Sequence, residues 1–398
     1  MDQPGLLRSM EEGMAGTVAA VVADNVVTAL GMNSSSNYAA AKEGRTALKR
    51  YDEQWGTGTP FVAAMVNRKE ILAACGQEGI TGAYTFFEKM VLLSITNALH
   101  QCRVDMTSAR TLLILSTTKG NVDMLRENTE GLPAERELLG ETAQAIADHF
   151  GMKNQPVVVS NACTSGACAL IEASRMISTG SYDHVVVCGA DILSPFIVSG
   201  FQSLQALSDE PCRPFDEDRT GINLGDAAAT IIFHAESLSR LKYGTWYLAQ
   251  GAIRNDAFHI TNPSRTGEGS YKALSYVMKD TDPEELAFVN AHGTATLFND
   301  EMESVALSRA GLDQIPVNSL KGIFGHTMGA AGVLETIISM QAANEGIILG
   351  TKGFSNLGVS RRIQVTATNS TTDKQAFVKM MSGFGGCNAA ILFKRIEN

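Results

Sequence analysis

The sequence lacks any uninterrupted apolar run of the roughly 18 residues that a membrane-spanning helix requires. It lacks an excess of positive charge: 32 Lys and Arg stand against 42 Asp and Glu, a net charge of −10. That balance, with a pI near 5.3, argues against a general nucleic-acid binder, although a local basic patch for an acidic partner is compatible with it. It also lacks a cysteine framework. The seven cysteines are an odd number at irregular spacings, which predicts free thiols in a reducing cytoplasm. No Cys/His pair has zinc-ligand spacing, so no metal site is expected. No Gly-x-x-x-x-Gly-Lys-Ser/Thr loop is found, which disfavours a nucleotide-dependent enzyme. No short-period repeat is visible, which excludes a solenoid.

What remains is ordinary globular composition, 44% hydrophobic and 19% charged, with 37 glycines in 398 residues. Thr17–Ala23 is apolar and ends in small residues, as a signal peptide does. Its flank carries Asp2, Glu11 and Glu12 against Arg8, the wrong sign for an n-region. The expectation is a buried first strand after a loose leader of about a dozen residues, with Met14 as an alternative start. Apolar runs at Thr111–Ser116, Val157–Val159, His184–Ala190, Ala227–Phe233, Leu286–Asn290, Ile315–Ser319 and Ala389–Phe393 read as buried strands. Helices are predicted over Phe86–Leu99, Glu135–Phe150, about Asp300–Ala310 and Gly332–Ala343. Such alternation implies parallel or mixed sheets covered on both faces, in two similar α/β halves, 17–240 and 241–398.

Three strand-to-helix junctions carry reactive groups among small residues. The first is Asn161-Ala162-Cys163-Thr164-Ser165-Gly166, just after three valines. A buried lone cysteine is ordinary core. At a helix N-terminus, however, the macrodipole and loose N–H groups favour thiolate and can stabilise an oxyanion. The other two junctions hold His292, before Gly293, and His326, after Gly325. In sheets of this kind ligands bind beyond the carboxyl ends of the strands, so three such ends predict one pocket.

These motifs, in this order, resemble those of the β-ketoacyl-acyl-carrier-protein synthases, the decarboxylating condensing enzymes of the thiolase superfamily. The likeness rests on the cysteine segment and on His292-Gly293-Thr294-Ala295-Thr296 with Asn299, Asp300 and Glu303. It rests equally on Lys321 with Gly325-His326-Thr327-Met328-Gly329 and Glu335, on Ser382-Gly383-Phe384-Gly385-Gly386-Cys387-Asn388, and on Arg213-Pro214-Phe215-Asp216 with Arg219 and Gly221.

The resemblance implies a thiolase-like fold of two related halves with mixed sheets, layered α-β-α-β-α. It implies acyl transfer to Cys163, then decarboxylative condensation with a malonyl thioester assisted by His292 and His326. It makes Cys163 and Phe384 the oxyanion hole, Thr294 and Thr296 contacts of the pantetheine arm, and Arg213 a binding residue. Lys321, Glu335, Asp300 and Glu303 become supporting residues, with Lys321 tuning charge and orienting His326. No cofactor is held permanently; substrates arrive on the phosphopantetheine arm of an acyl carrier protein. A homodimer is expected, with a heterodimer as the alternative. Two other readings are an inactive partner that sets chain length and, with Cys387 in mind, a thiolase. Retention of Cys163, both histidines and Lys321 speaks against the first, and a Cys-His-His set favours a malonyl donor over the second.

Departures from the family pattern fall at Ile222 and Ser382, where aromatic residues are usual, at Asp226 in place of Glu, and in the Ser116–Gly120 turn. They point to an altered acyl pocket and a specialised chain such as a polyene. Asn67-Arg68-Lys69 and Arg126 are the candidate basic patch for the carrier protein.

Overall fold

A computed structural model describes residues 16–52, 54–56, 58–125 and 131–397; the expected leader and Arg126 lie outside them. The first half contributes β1 (Thr17–Thr28), α1 (Phe86–Leu99), β2 (Thr111–Ser116), α2 (Leu139–His149), β3 (Val157–Val159), α3 (Ser165–Ser178), β4 (His184–Asp191) and β5 (Ala227–Ser237). The second contributes β6 (Trp246–Asn255), α4 (Glu268–Val277), β7 (Phe288–Asn290), α5 (Leu297–Arg309), β8 (Pro316–Asn318), α6 (Ala331–Asn344), β9 (Ala376–Gly383) and β10 (Cys387–Arg395).

The two sets of strands follow one plan. The first runs β3-β2-β4-β5-β1 across the sheet and the second β8-β7-β9-β10-β6. In each, the first three strands are parallel and the last two antiparallel. A two-residue contact of β1 with β6, Ala19 opposite Leu248 and Ala20 opposite Tyr247, joins the sets into one continuous 11-stranded sheet with Gln364–Val365 at its far edge. The expected pair of mixed sheets is thus fused at one seam.

Helices cover both faces because the strands are apolar on both. α1 and α2 pack outside the first set over Val91, Leu113, Ile146 and Val186. α4 and α5 cover the second set outside, over Leu274, Val289, Leu307 and Val378. α3 and α6 lie between the sets, in a core that draws Leu170, Ile231, Leu334, Ile337 and Phe377 together. The result is the α-β-α-β-α layering of a thiolase-like fold. α1 starts sharply because Thr85 and Glu88 form a capping box, each side chain 3.0 Å from the other's backbone N–H.

Some elements differ from expectation. The predicted helix over Glu135–Phe150 is a 3₁₀ turn, Ala134–Glu137, then α2. β6, β9, α4 and a Pro195–Ser203 helix were not predicted. β6 alternates buried and half-exposed residues, and Lys379 interrupts the apolar run of β9.

Candidate active site

Cys163 and His292 sit just past the ends of parallel strands, and His326 follows a short helix, Lys321–Phe324, beyond a third; each lies beside a residue with positive φ. After β3, Ala162 takes φ 46°, a conformation costly for a residue with a Cβ and held only where surroundings over-determine it. The Ser165 hydroxyl supplies that restraint: it accepts from Asn161 N at 2.7 Å and donates to Ala162 O at 2.6 Å. This tight turn delivers Cys163, only 8% exposed, two residues before α3.

His292 follows β7, and Gly293 turns the chain at φ 46°. A Cβ there would lie 2.6 Å from that of Ser319, so glycine is required for space as well as conformation. Two carboxylates one turn apart on α5 hold the loop. Glu303 accepts from His292 N and Gly293 N, both at 2.7 Å, and Asp300 from Thr294 N at 3.0 Å and Phe215 N at 2.7 Å. Burial raises Asp300 to about 6. Burial and the neighbouring Asp300 raise Glu303 to about 7.

His326 lies in the turn between the short helix Lys321–Phe324, which follows β8, and α6. Its Nδ1 accepts from Met328 N at 3.2 Å, which places the imidazole proton on Nε2. Nε2 is buried and has no hydrogen-bond partner among the described residues. Asp191, at the end of β4, reaches across the halves to accept from Gly329 N at 2.7 Å and Thr118 N at 3.0 Å. It thereby ties the His326 loop to the turn after β2.

The two imidazoles meet edge to face with centroids 4.9 Å apart. With the Cys163 sulfur, their ligand atoms all lie within 4.8 Å of one another. The three junctions meet as the sequence order predicted, close enough to surround one carbonyl; only their fitness as a ligand set for a soft cation was hidden by their spacing along the chain. Burial, reinforced by Lys321 and Lys379, holds both imidazoles well below the usual histidine range, so both are neutral at pH 7. Burial also pushes the Cys163 thiol up to about 11, against the pull of Lys321 and Lys119. The helix-end effect expected to favour thiolate is outweighed, and the resting group is a thiol.

Behind the histidines, Lys321 and Glu335 form a fully buried ion pair. Glu335 also takes a second buried lysine, Lys379 of β9, at 2.5 Å. Lys379 escaped sequence reasoning; its signal was a lone charge inside an otherwise apolar strand, Phe377-Val378-Lys379-Met380-Met381.

Cys163, His292, His326, Thr294, Thr296 and Phe384 line one cavity of about 520 Å³, a size suited to a small molecule or an acyl chain. Ile222 and Ser382 line it too. Gly383 lies against the nucleophile: a Cβ there would stand 3.2 Å from Cys163 N. Arg213 does not line the cavity; its guanidinium faces Asp218 at 3.8 Å on a half-exposed surface, and Arg219 occupies the wall instead. Arg68 stacks on Phe86 at 4.4 Å and pairs with Asp123 at 3.5 Å, so it is already engaged.

Fold and site together define a thiolase-like protein with a buried thiol beside two neutral imidazoles. The chain belongs to the β-ketoacyl synthase family, whose N-terminal domain matches residues 80–238 and whose C-terminal domain matches residues 247–355. It is 34% identical over 265 residues to 3-oxoacyl-[acyl-carrier-protein] synthase 2 of Vibrio cholerae, covering 62% of this chain and 64% of that protein. The match therefore spans just under two thirds of that relative's length. A putative mitochondrial 3-oxoacyl-[acyl-carrier-protein] synthase of Schizosaccharomyces pombe is 26% identical over 93% of this chain and 97% of its own. Among solved structures, the Xenorhabdus doucetiae ketosynthase ApeO in complex with its chain length factor ApeC superimposes with TM-score 0.81 at 22% identity, over 96% of this chain and 98% of that one. The ishigamide ketosynthase/chain length factor does so with TM-score 0.84 at 22% identity, over 96% and 100%. These structures share the fold.

Proposed function

We propose that this chain is a 3-oxoacyl-acyl-carrier-protein synthase. The convergence of one thiol and two neutral imidazoles on a single cavity carries this reading. In the first half-reaction Cys163 attacks an acyl thioester; its proton leaves with the departing pantetheine thiol, and an acyl-cysteine remains. The N–H groups of Cys163 and Phe384 would receive the tetrahedral oxyanion. A malonyl thioester then binds with its arm along Thr294 and Thr296. The His326 Nε2–H, and His292 beside it, donate to its carbonyl oxygen. The carboxylate C–C bond breaks, carbon dioxide leaves, and the electron pair becomes an enolate. The enolate carbon attacks the acyl-cysteine, and the Cys163 sulfur departs as thiolate and takes a proton from solvent. Neither histidine needs to act as a base, which agrees with their depressed basicity.

The partner of this reading is an acyl carrier protein, and no permanent cofactor is required. A homodimer is the simplest assembly. A heterodimer with a chain-length-setting subunit is the alternative, prompted by the complexes formed by two structural neighbours. Seven free cysteines suit a cytoplasmic setting. An inactive, chain-length-setting role for this chain itself would leave the Cys163 turn without purpose.

Incubation with acyl- and malonyl-carrier proteins, followed by mass spectrometry, tests the proposal. Cys163 should acylate without malonyl donor and discharge a 3-oxoacyl product with it. No acylation of Cys163 by any thioester would sink it.

A further inference from the structure

Lys379 has no part in the chemistry so far, yet it is fully buried and makes three contacts that all lead to the site. Its Nζ donates to Glu335 at 2.5 Å, to Ala291 O at 3.0 Å and, more weakly, to Asn290 O at 3.5 Å. The Ala291 carbonyl belongs to the peptide bond that joins Ala291 to His292. The N–H of that same peptide donates to Glu303 at 2.7 Å. One peptide plane, immediately before a histidine in the cavity wall, is therefore gripped at its oxygen by a buried ammonium and at its nitrogen by a buried carboxylate.

The charge is equally specific. Lys321 and Lys379 share the single carboxylate of Glu335, one on each oxygen. The trio carries one surplus positive charge in a place from which water is excluded. A packing role would be served by methionine, and burying an ammonium costs far more than burying a thioether. A second lysine on an already paired carboxylate is therefore poorly explained by stability.

We propose that Lys379 is a positioning residue for the decarboxylation step: it fixes the peptide before His292 and supplies positive charge behind the two imidazoles when the enolate forms. The inference rests on the condensing reading above. Lys379 transfers no proton and touches no substrate. Its charge opposes protonation of both histidines and favours negative charge on the oxygen to which they donate. Acylation of Cys163 develops its oxyanion at backbone N–H groups instead, so the two half-reactions should depend on Lys379 to different degrees.

The test is Lys379→Met, in which the Lys321–Glu335 pair stays intact. Acylation of Cys163 by an acyl thioester is followed by mass spectrometry, and carbon dioxide release from a malonyl thioester is measured separately. The expected result is acylation within about threefold of wild type, with decarboxylation reduced about a hundredfold, in kcat rather than KM. Lys379→Arg should recover part of the loss. A folded Lys379→Met protein that decarboxylates within threefold of wild type would overturn the proposal, as would equal loss in both half-reactions.

If Lys379→Met does not fold, the wild-type pH profile decides. The groups facing Lys379 among the described residues are Glu335, Lys321, Glu303 and the neutral imidazoles of His292 and His326, and burial lowers Lys379 to about 8. Decarboxylation should then fall as pH rises through that value while acylation does not; a flat profile between pH 7 and 9 would refute the role. Wild-type protein that is never acylated and never releases carbon dioxide would instead refute the condensing reading itself.

Discussion

Gly166 of α3 and Gly332 of α6 meet backbone to backbone at the centre of the molecule. A Cβ on Gly332 would stand 2.4 Å from Ala167 N and 2.9 Å from Gly166 C, and one on Gly166 would stand 2.9 Å from Gly329 O. These two helices follow the Cys163 turn and the His326 loop, so their closeness sets the distance between thiol and imidazole. Gly332→Ala should gain up to about 1 kcal/mol in helix propensity. It should lose about 1–3 kcal/mol to overpacking, because its neighbours are backbone atoms that cannot rotate away. The expected outcome is a net loss of stability in urea titration with a larger fractional loss of Cys163 acylation. A more stable, fully active variant would contradict the packing argument.

The thiol of Cys163 should be a slow nucleophile at rest. With the group raised to about 11, its thiolate fraction at pH 7 lies on the order of a hundredfold below that of an ordinary cysteine. Iodoacetamide labelling of Cys163, followed by mass spectrometry, should rise about tenfold per pH unit from 7 to 9. Lys321→Met should slow it further, since that charge pulls the thiol back down. A labelling midpoint below pH 8 would show that the helix end dominates after all.

Removal of Glu335 should damage the fold more than removal of either lysine it binds. Lys321→Met leaves Glu335 paired with Lys379, so the variant should fold while losing condensation activity. Glu335→Gln leaves two buried ammonium groups without a counter-charge. Breaking a buried pair by deleting one partner costs about 3–5 kcal/mol. Thermal unfolding of the two variants side by side measures the difference. Equal melting temperatures would mean that the trio does not share one carboxylate in solution.

The three junctions were legible in the sequence because glycine, alanine and threonine cluster around Cys163, His292 and His326 for reasons the structure makes plain: left-handed backbone and close helix contacts. Apolar runs likewise marked β2, β3, β4 and α1. What could not be read was the outcome of competing effects. A helix end and a lysine favour thiolate at Cys163, but burial, invisible in the chain, wins. Lys379 left only the weak signal of a lone charge in an apolar run, since a lysine in a sequence signals exposure until the fold shows a carboxylate waiting for it. Asp191, which spans the two halves to reach Gly329, is separated from it by 138 residues, and no local pattern predicts such a tie.

Glu303 should make stability fall as pH rises toward neutral. Its folded-state value, about 7, is above that of an unfolded glutamate, so the folded protein binds the extra proton. The stability this confers is fully present below about pH 4 and is lost as pH rises through 7. Glu303→Gln lacks the titration. The stability of wild type relative to this variant should drop by roughly 2–3 kcal/mol between pH 4.5 and pH 8. Urea titrations at those two values provide the check, and an unchanged difference would show that Glu303 stays ionised throughout.

Ile222 and Ser382 should set the size of acyl group the cavity admits. Ile222 is buried against the cavity, and the Ser382 hydroxyl donates to Asn388 Oδ1 at 3.0 Å, beside Ser270, which donates to the same oxygen at 2.7 Å. Ser382 can thus be replaced without leaving Asn388 Oδ1 unpaired. A phenyl ring at either position projects into the space beside Cys163. Ile222→Phe and Ser382→Phe should therefore spare acylation by an acetyl thioester and slow acylation by long or branched thioesters about 10-fold or more, the range a pocket of this kind discriminates. Melting temperatures separate this effect from overpacking, which is worth about 1–3 kcal/mol at a buried site. A uniform loss across all chain lengths would place the acyl chain elsewhere, because only a group that shares the wall with these residues can feel its width.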